Sequence, residues 1–392
     1  MQRVPPSLSP DVLDATRLRR DEFPWMDTGE SIYLNVASTG PLPESSVRAQ
    51  EVFTRKRAAP HRLGQDEQFE TLTIVRRQLA TLIGADVAEI ALATNTSAGL
   101  NLAAWTLPLG PGDVVVIPDL EFPANVYPWM AAAAVRGFTL WRIPVNEGML
   151  DEPAVLSALD RPDVRVLAVS WVGFATGAVA HLDVLGTACR ERGIRFVVDA
   201  IQGLGPLTLD VSRVPIDLLA CGGQKWLLSP WGTGFTYVRR SLVQELAPQP
   251  VSWMGVRGSD DFSRLLSYDL TWRDDARRFE QITLPFQDFA GMGASLALLH
   301  ALGANAVAAH VHARTTELLD GAAEQGIALV TPRAHVAGIV SLRPADPRRT
   351  SDRLDAARVA HSVREGTIRL APHCYTTRDD VLVALDALRE SP

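Results

Sequence analysis

Lysine is almost absent from this chain. Of 38 basic residues only Lys56 and Lys225 are lysines, and the other 36 are arginines. Chemistry that needs a side-chain primary amine is therefore confined to two positions. Cysteine is scarce too: Cys189, Cys221 and Cys374 stand apart, with no CxxC spacing. So sparse and odd a set excludes a disulfide scaffold, offers no thiolate metal site, and fits a reducing cytoplasm. Positive charge is not in surplus. The 45 acidic residues leave a net charge of −7, which argues against a nucleic-acid partner gripped by a broad basic surface. Long apolar runs are missing as well. A membrane helix needs roughly 20 such residues, and the longest uncharged apolar run, 166–180, is too short and contains Gly173, Thr176 and Gly177. The opening MQRVPPSLSPDVLD has no apolar signal region. Neither a secretory signal nor a membrane partner is expected, and the cytoplasm is the expected compartment.

What is present is an alternation. At roughly 150 residues per domain, 392 residues allow two or three. Residues 1–30 read as a Pro-rich arm with one short helix. Short β-branched runs then recur at 90–93, 114–117, 139–143, 165–170, 196–198, 216–220 and 234–238, with helical stretches such as 65–83, 97–106 and 182–192 among them. This pattern predicts an α/β fold with a mostly parallel seven-stranded sheet between helices. From 285 the texture changes to Ala/Leu-rich helices, 285–302 and 305–325, then short strands at 327–330, 336–342 and 367–370 and a helix from 379. The expected division is an arm at 1–30, a large domain at 31–255, an irregular connection at 256–284 and a small α+β domain at 285–392.

Ligands of open α/β sheets bind beyond the carboxyl ends of the strands, and polar residues collect on that rim. Asp199 directly follows an apolar strand, where a carboxylate is costly without a partner. Lys225 sits in the turn Gly222-Gly223-Gln224-Lys225-Trp226. Together they suit pyridoxal phosphate: a lysine amine condenses with the aldehyde, and an aspartate keeps the ring nitrogen protonated. Gln202 stands within reach of the ring edge and its phenolic oxygen. Taken singly, Asp199 fits an N-cap or a structural ion pair equally well. Thr94-Asn95-Thr96-Ser97-Ala98-Gly99 joins a strand to a helix; it is either an anion site or an ordinary cap. No Walker A loop or GxGxxG fingerprint is present.

These residues, in this order and spacing, resemble the class V aminotransferase-like, pyridoxal-phosphate-dependent enzymes of fold type I. That family holds cysteine desulfurases, selenocysteine lyases, kynureninase, C–S lyases and isopenicillin N epimerase. The resemblance runs from Tyr33-Leu34-Asn35 to Arg369-Leu370-Ala371-Pro372-His373. It implies that Lys225 carries the cofactor, Asp199 pairs with the pyridinium, Gln202 meets the phenolic oxygen, and Thr96 and Ser97 hold the phosphate. It places Phe122, in Glu121-Phe122-Pro123-Ala124-Asn125, on the ring face and Gln224 beside the lysine. Arg278-Phe279-Glu280 and Thr283 resemble the segment that reaches the neighbouring subunit's phosphate, which implies a homodimer with shared active sites. Arg369 resembles the arginine that takes a substrate α-carboxylate through two parallel hydrogen bonds. Asn35, Phe174 and His373 are expected around the substrate.

The chain departs from the desulfurase pattern. Phenylalanine replaces histidine at 122, glutamine replaces histidine at 224, and phenylalanine stands at 174 where asparagine is common. The stretch 343–368 has no cysteine to carry a persulfide. Phe174, the Gly-Gly-Gln-Lys-Trp run and the closing Ile-Arg-Leu-Ala-Pro-His look more like the isopenicillin N epimerase branch. The expected substrate is an amino acid or amino-acid conjugate, activated as a Cα carbanion, with C–S lysis by β-elimination foremost and epimerisation or transamination as alternatives. A catalytically silent binding protein on the same fold is the reading from another class.

Overall fold

The computed structural model describes residues 13–389 except Glu147 and His335. Residues 1–12 of the expected arm and 390–392 of the expected small domain lie outside the described residues. The chain opens with helix α1 (Ala15–Glu22), strand β1 (Ile32–Tyr33), α2 (Glu44–Arg57) and α3 (Gln65–Ile83). The main sheet follows: β2 (Ile90–Ala93), α4 (Thr96–Thr106), β3 (Val114–Pro118), α5 (Tyr127–Arg136), β4 (Thr139–Ile143), α6 (Glu152–Ala158), β5 (Val164–Ser170), α7 (Leu182–Arg192), β6 (Arg195–Asp199), β7 (Leu218–Gly222), β8 (Gly234–Val238) and α8 (Arg240–Glu245). An irregular stretch leads to α9 (Phe286–Leu302) and α10 (Ala304–Glu324). Then come β9 (Ala328–Leu329), β10 (Val340–Arg343), α11 (Pro347–Ala356), β11 (Val359–Ala360), β12 (Ser362–Arg364), β13 (Thr367–Leu370) and α12 (Arg378–Leu388). Among the described residues no single helix is long and apolar enough to cross a membrane.

Seven strands form the main sheet in the order β2-β8-β7-β6-β5-β3-β4. Pairing is parallel from β4 through β7, and only β8 runs antiparallel to its neighbours β7 and β2. Central strands such as β3, Val-Val-Val-Ile-Pro, are buried along their whole length. That is why they read as unbroken apolar runs and not as alternation. Separate apolar clusters pack the two faces. Helix ends carry local signals: α3 and α7 stop at left-handed Gly84 and Gly193, and Asn95 caps α4 by accepting the Ala98 N–H.

The chain leaves β3 for the edge strand β4 and then crosses back to β5 on the other side of β3. A crevice opens at such a reversal, and here it lies past the ends of β3 and β5. The smaller sheet, β12-β13-β10-β9, is antiparallel and has its own core with α10, α11 and α12. Two segments lie across the expected boundaries. Helix α9 packs on α2 and α3, with Ser46 Oγ donating to Gly291 O at 3.0 Å. Strand β1 pairs with β11, and Asn35 bridges to Ala371. The strand expected at 336–342 begins at Val340, because Val336 bridges instead to Ala178.

Candidate active site

Register sets the two central acceptors side by side. Ser170 at the end of β5 is paired with Asp199 at the end of β6, and Asp199 with Ala220 of β7. Asp199 is 3% exposed. Its Oδ1 accepts the Ile201 N–H at 2.9 Å, and Oδ2 has no hydrogen bond among the described residues. Burial lifts its pKa to about 6, against the Ile201 N–H and the charge of Lys225. A buried carboxylate with an open oxygen is suited to a cationic N–H donor.

Lys225 stands three residues beyond β7. Burial lowers its pKa to about 8; Asp199 opposes that shift and Arg369 adds to it. Its Nζ lies 5.7 Å from the centroid of the Phe122 ring and has no hydrogen-bond acceptor among the described residues. The turn that carries it is strapped down. Gly40 N–H donates to Gln224 O at 2.8 Å and Leu228 N–H to Lys225 O at 3.1 Å. Trp226 Nε1–H donates to Gln202 Oε1 at 2.8 Å, and Gln202 Nε2 donates to Ala37 O at 3.0 Å. Gln202 thus keeps one amide hydrogen for a ligand. The Gln224 side chain folds over Gly222, where a Cβ would stand 2.4 Å from its Oε1.

Thr96 and Ser97 open α4, whose first N–H groups have no partner within the helix. Thr96 Oγ1 accepts the Gly222 N–H at 2.9 Å, which ties this anion-attracting end to the lysine turn. Gly99 lets α4 approach the sheet closely; a Cβ there would lie 2.5 Å from Thr236 Oγ1 and 2.7 Å from Ala220 Cβ. Phe122 meets Phe174 edge-on, with centroids 5.3 Å apart.

Arg369, on β13, reaches the same crevice from the small sheet. It donates to Ser362 Oγ at 3.1 Å, Phe174 O at 2.8 Å and Ser38 Oγ at 2.8 Å, and Ser38 donates in turn to Asn35 Oδ1 at 2.8 Å. Its pKa falls to about 10 through burial and the nearby Arg364. Among the described residues no carboxylate pairs with it, so a buried guanidinium stands ready for an acid from outside.

One expectation is corrected. His373 does not reach the substrate region. It is fully buried, Nδ1 accepts the Cys374 N–H at 2.7 Å, Nε2 lies 3.0 Å from Trp226 O, and burial drops its pKa to about 4. It is a neutral prop behind the Trp226 end of the lysine turn. In the segment expected to face a neighbouring subunit, Arg278 and Glu280 also bond within the chain. Arg278 donates to Val243 O at 2.8 Å, and Glu280 accepts from Arg76 at 2.7 Å and from the Leu92 N–H at 2.9 Å. Thr283 is exposed, as is Gln281 before it. One acid went unassigned in the sequence. Glu121 accepts from Ser170 N–H at 2.7 Å, from the Ser170 hydroxyl and from Asn125 Nδ2 at 3.0 Å. Burial raises its pKa to about 7. The sequence signal used for Asp199, an acid directly after an apolar strand, points here to Asp119, which pairs with Arg142 at 2.6 Å, and not to Glu121 two residues on.

Pyridoxal phosphate fits this donor set. An amine without an acceptor, an under-partnered buried carboxylate, a helix N-terminus and an aromatic wall converge at the rim of a mostly parallel sheet. They define a fold type I pyridoxal-phosphate-dependent enzyme. Residues 32–382 match the family model of class V aminotransferases, and the chain belongs to that family. It is 30% identical over 324 residues to the uncharacterised aminotransferase YcbU of Bacillus subtilis, covering 82% of this chain and 84% of that one. It is 36% identical over 229 residues to the isopenicillin N epimerase of Streptomyces clavuligerus, covering 57% of each. A solved structure of the cystine C–S lyase C-DES with its product cysteine persulfide superposes with a TM-score of 0.84 at 25% identity, covering 93% of this chain and 98% of that one.

Proposed function

We propose that this enzyme is an amino-acid C–S lyase acting by β-elimination on cysteine-derived substrates. The observation that carries the reading is the Phe122–Phe174 wall, which holds no transferable proton, standing 5.7 Å from the single amine of Lys225. Inversion at Cα needs a second acid on the far face, whereas elimination needs one base. Pyridoxal phosphate, when bound, supplies the electron sink that makes loss of the Cα proton feasible.

Lys225 serves as anchor and then as the base, its lowered pKa suiting proton abstraction near neutrality. Asp199 holds the ring nitrogen, Thr96 and Ser97 the phosphate, Gln202 the phenolic oxygen, and Phe122 the ring face, with Gln224 closing the Gly222 side. Arg369 binds the α-carboxylate, oriented by Ser38 and Asn35 beside Phe174. A desulfurase route through a cysteine persulfide lacks a carrier. All three cysteines are buried, and burial raises each thiol, Cys189 to about 12. The relatives named above support an amino-acid substrate.

We also propose a homodimer, with Thr283 facing the partner's phosphate site. Exposed Trp253, Leu265, Leu266, Tyr268 and Leu270 supply an apolar surface for it.

The test is a panel of amino acids, cystine and cysteine S-conjugates added to purified holoenzyme. Release of a thiol or persulfide with pyruvate and ammonia is the expected result. Racemised substrate, or keto acid without ammonia, overturns the lyase reading in favour of epimerisation or transamination. Lys225→Ala should lose both turnover and the borohydride-reducible chromophore; a reducible chromophore surviving in that variant would overturn the assignment of the lysine.

A further inference from the structure

The loop from β3 to α5 carries Glu121 immediately before Phe122. Its carboxyl is tied to Ser170 through both the backbone N–H and the hydroxyl, and to Asn125 within its own loop. Asn125 is fully buried and accepts from Trp129 Nε1 at 3.3 Å. Glu121 therefore locks the loop between α5 and the end of β5. Ser170 is the residue paired with Asp199, so the two carboxylates belong to adjacent strand ends. A cavity of about 50 Å³, lined by Glu121, Ser170, Gly173, Thr176 and Ala178 among others, lies against Glu121. It is large enough for a few waters, which gives this acid a route to exchange protons.

We propose that Glu121 is a positioning residue that pins the Phe122 ring to the end of β5 and, through its own charge beside Asp199, sets how firmly the site keeps a proton on the cofactor's ring nitrogen. The proposal rests on the role given to Asp199. Ionised Glu121 adds a second negative charge and strengthens the site's hold on that proton; protonated Glu121 does not. Among the described residues the groups facing it are few. Asp199 acts on it from β6, and Lys225, beyond β7, acts in turn on Asp199. Asp119, on the same loop and cavity, is neutralised by Arg142 of β4 at 2.6 Å. Asn125, Trp129 and Ser170 are uncharged. Burial holds Glu121 near a pKa of about 7, so its switch falls within the working range of most enzymes.

The experiment is a visible-absorption titration of holoenzyme from pH 5 to 9. Wild type is expected to show an inflection near neutrality. Glu121→Gln, which keeps the shape and removes the charge, is expected to abolish that inflection while retaining cofactor, and Asp119→Asn to preserve it. A wild type without the inflection, or a Glu121→Gln protein that retains it, overturns the proposal. Should Glu121→Gln fail to hold cofactor, Ser170→Ala decides. It keeps the charge but removes a hydroxyl that stabilises the carboxylate, so the inflection moves up by about half a unit or more; an unmoved inflection overturns the proposal. Asp199→Asn tests the underlying role separately. Wild-type cofactor affinity and band position in that variant defeat the assignment of Asp199, whatever Glu121 does.

Discussion

Adding one methyl group at Gly40 tests whether the turn bearing Lys225 is fixed in height. Gly40 N–H donates to Gln224 O at 2.8 Å, and a Cβ on Gly40 would lie 2.1 Å from Lys225 O and 3.1 Å from Leu228 Cδ2. Gly40 is not among the residues with positive φ, so alanine is conformationally allowed and the effect is steric. Carbon and carbonyl oxygen settle at about 3.3 Å or more, so residue 40 and the turn must part by roughly 1 Å. Overpacking of this kind costs about 1–3 kcal/mol. A displacement of ~1 Å in a reacting group costs about 10²-fold in rate. Urea unfolding followed by tryptophan fluorescence reads the first effect. The second is read by the rate at which added pyridoxal phosphate forms a borohydride-reducible link to Lys225 in cofactor-free protein. Gly40→Ala should unfold at lower urea and form the link about two orders of magnitude more slowly. A variant with wild-type values in both assays would refute the idea that Gly40 sets the height of the lysine.

Three further outcomes follow from the same geometry. Glu280→Ala strands buried Arg76, whose side chain is 7% exposed and otherwise bonds Glu280 Oε1 at 3.1 and 2.7 Å. The loss should be about 3–5 kcal/mol in denaturant unfolding, and a loss below about 1 kcal/mol would contradict it. Arg369→Lys keeps the charge but loses the planar fork. Spectral titration with amino acids should show affinity weakened about 100-fold, worth ~2.7 kcal/mol, at unchanged cofactor content; equal affinity would remove Arg369 from the carboxylate site. Asp199, raised to about 6, binds in the folded cofactor-free protein a proton that the unfolded chain releases near pH 4. Folding there binds more protons, so the contribution of Asp199 to stability declines as pH rises from 4 to about 6 and is flat above. The unfolding free energy of wild type minus that of Asp199→Asn should fall across that window, and a flat or rising difference would contradict the sign.

Much of this was legible in the sequence, for physical reasons that also mark where legibility ends. Stretches buried on both faces cannot mix in polar residues, so β3 and the 166–169 stretch of β5 stood out as apolar runs. Glycines at 84 and 193 marked the ends of α3 and α7 because left-handed closure favours them. Helix α2 escaped notice. Its sequence, Glu-Ser-Ser-Val-Arg-Ala-Gln-Glu-Val-Phe-Thr-Arg-Lys-Arg, buries only Ser46 and Phe53, too little for an apolar stripe. It is held by close approach to α9, where a Cβ on Gly291 would meet Gln50, Pro230 and Ser46 within 3 Å. Strands β1 and β11 are two residues long and exist only through each other. At the site, Lys225 and Asp199 stood out as residue types out of place in their surroundings. His373 misled because four residues after Arg369 suggests proximity. The chain leaves β13 after Leu370, though, and the imidazole turns inward against Trp226 and Tyr375.

The buried charges of this protein fall into two kinds, and the division locates the site independently of any resemblance. Arg76, Arg19 and Arg273 each meet a carboxylate at 2.6–2.8 Å. Their desolvation is offset within the fold, so they need nothing further. Asp199, Lys225 and Arg369 are buried as deeply or nearly so, yet among the described residues Lys225 and Arg369 have no ion pair and Asp199 has one backbone donor for two oxygens. An unpaired buried charge costs several kcal/mol, and each of these three has a pKa displaced towards neutrality by that cost. Arg278 is a further under-partnered cation, with Nε unsatisfied between the rings of Trp272 and Phe279. It lies in the segment whose motif points to a neighbouring subunit. A fold keeps such groups unpaired when their partners arrive from outside. In the proposed roles, a ring nitrogen, an aldehyde and a carboxylate would complete Asp199, Lys225 and Arg369 in turn, and one amino-acid substrate with one pyridoxal phosphate would supply all three.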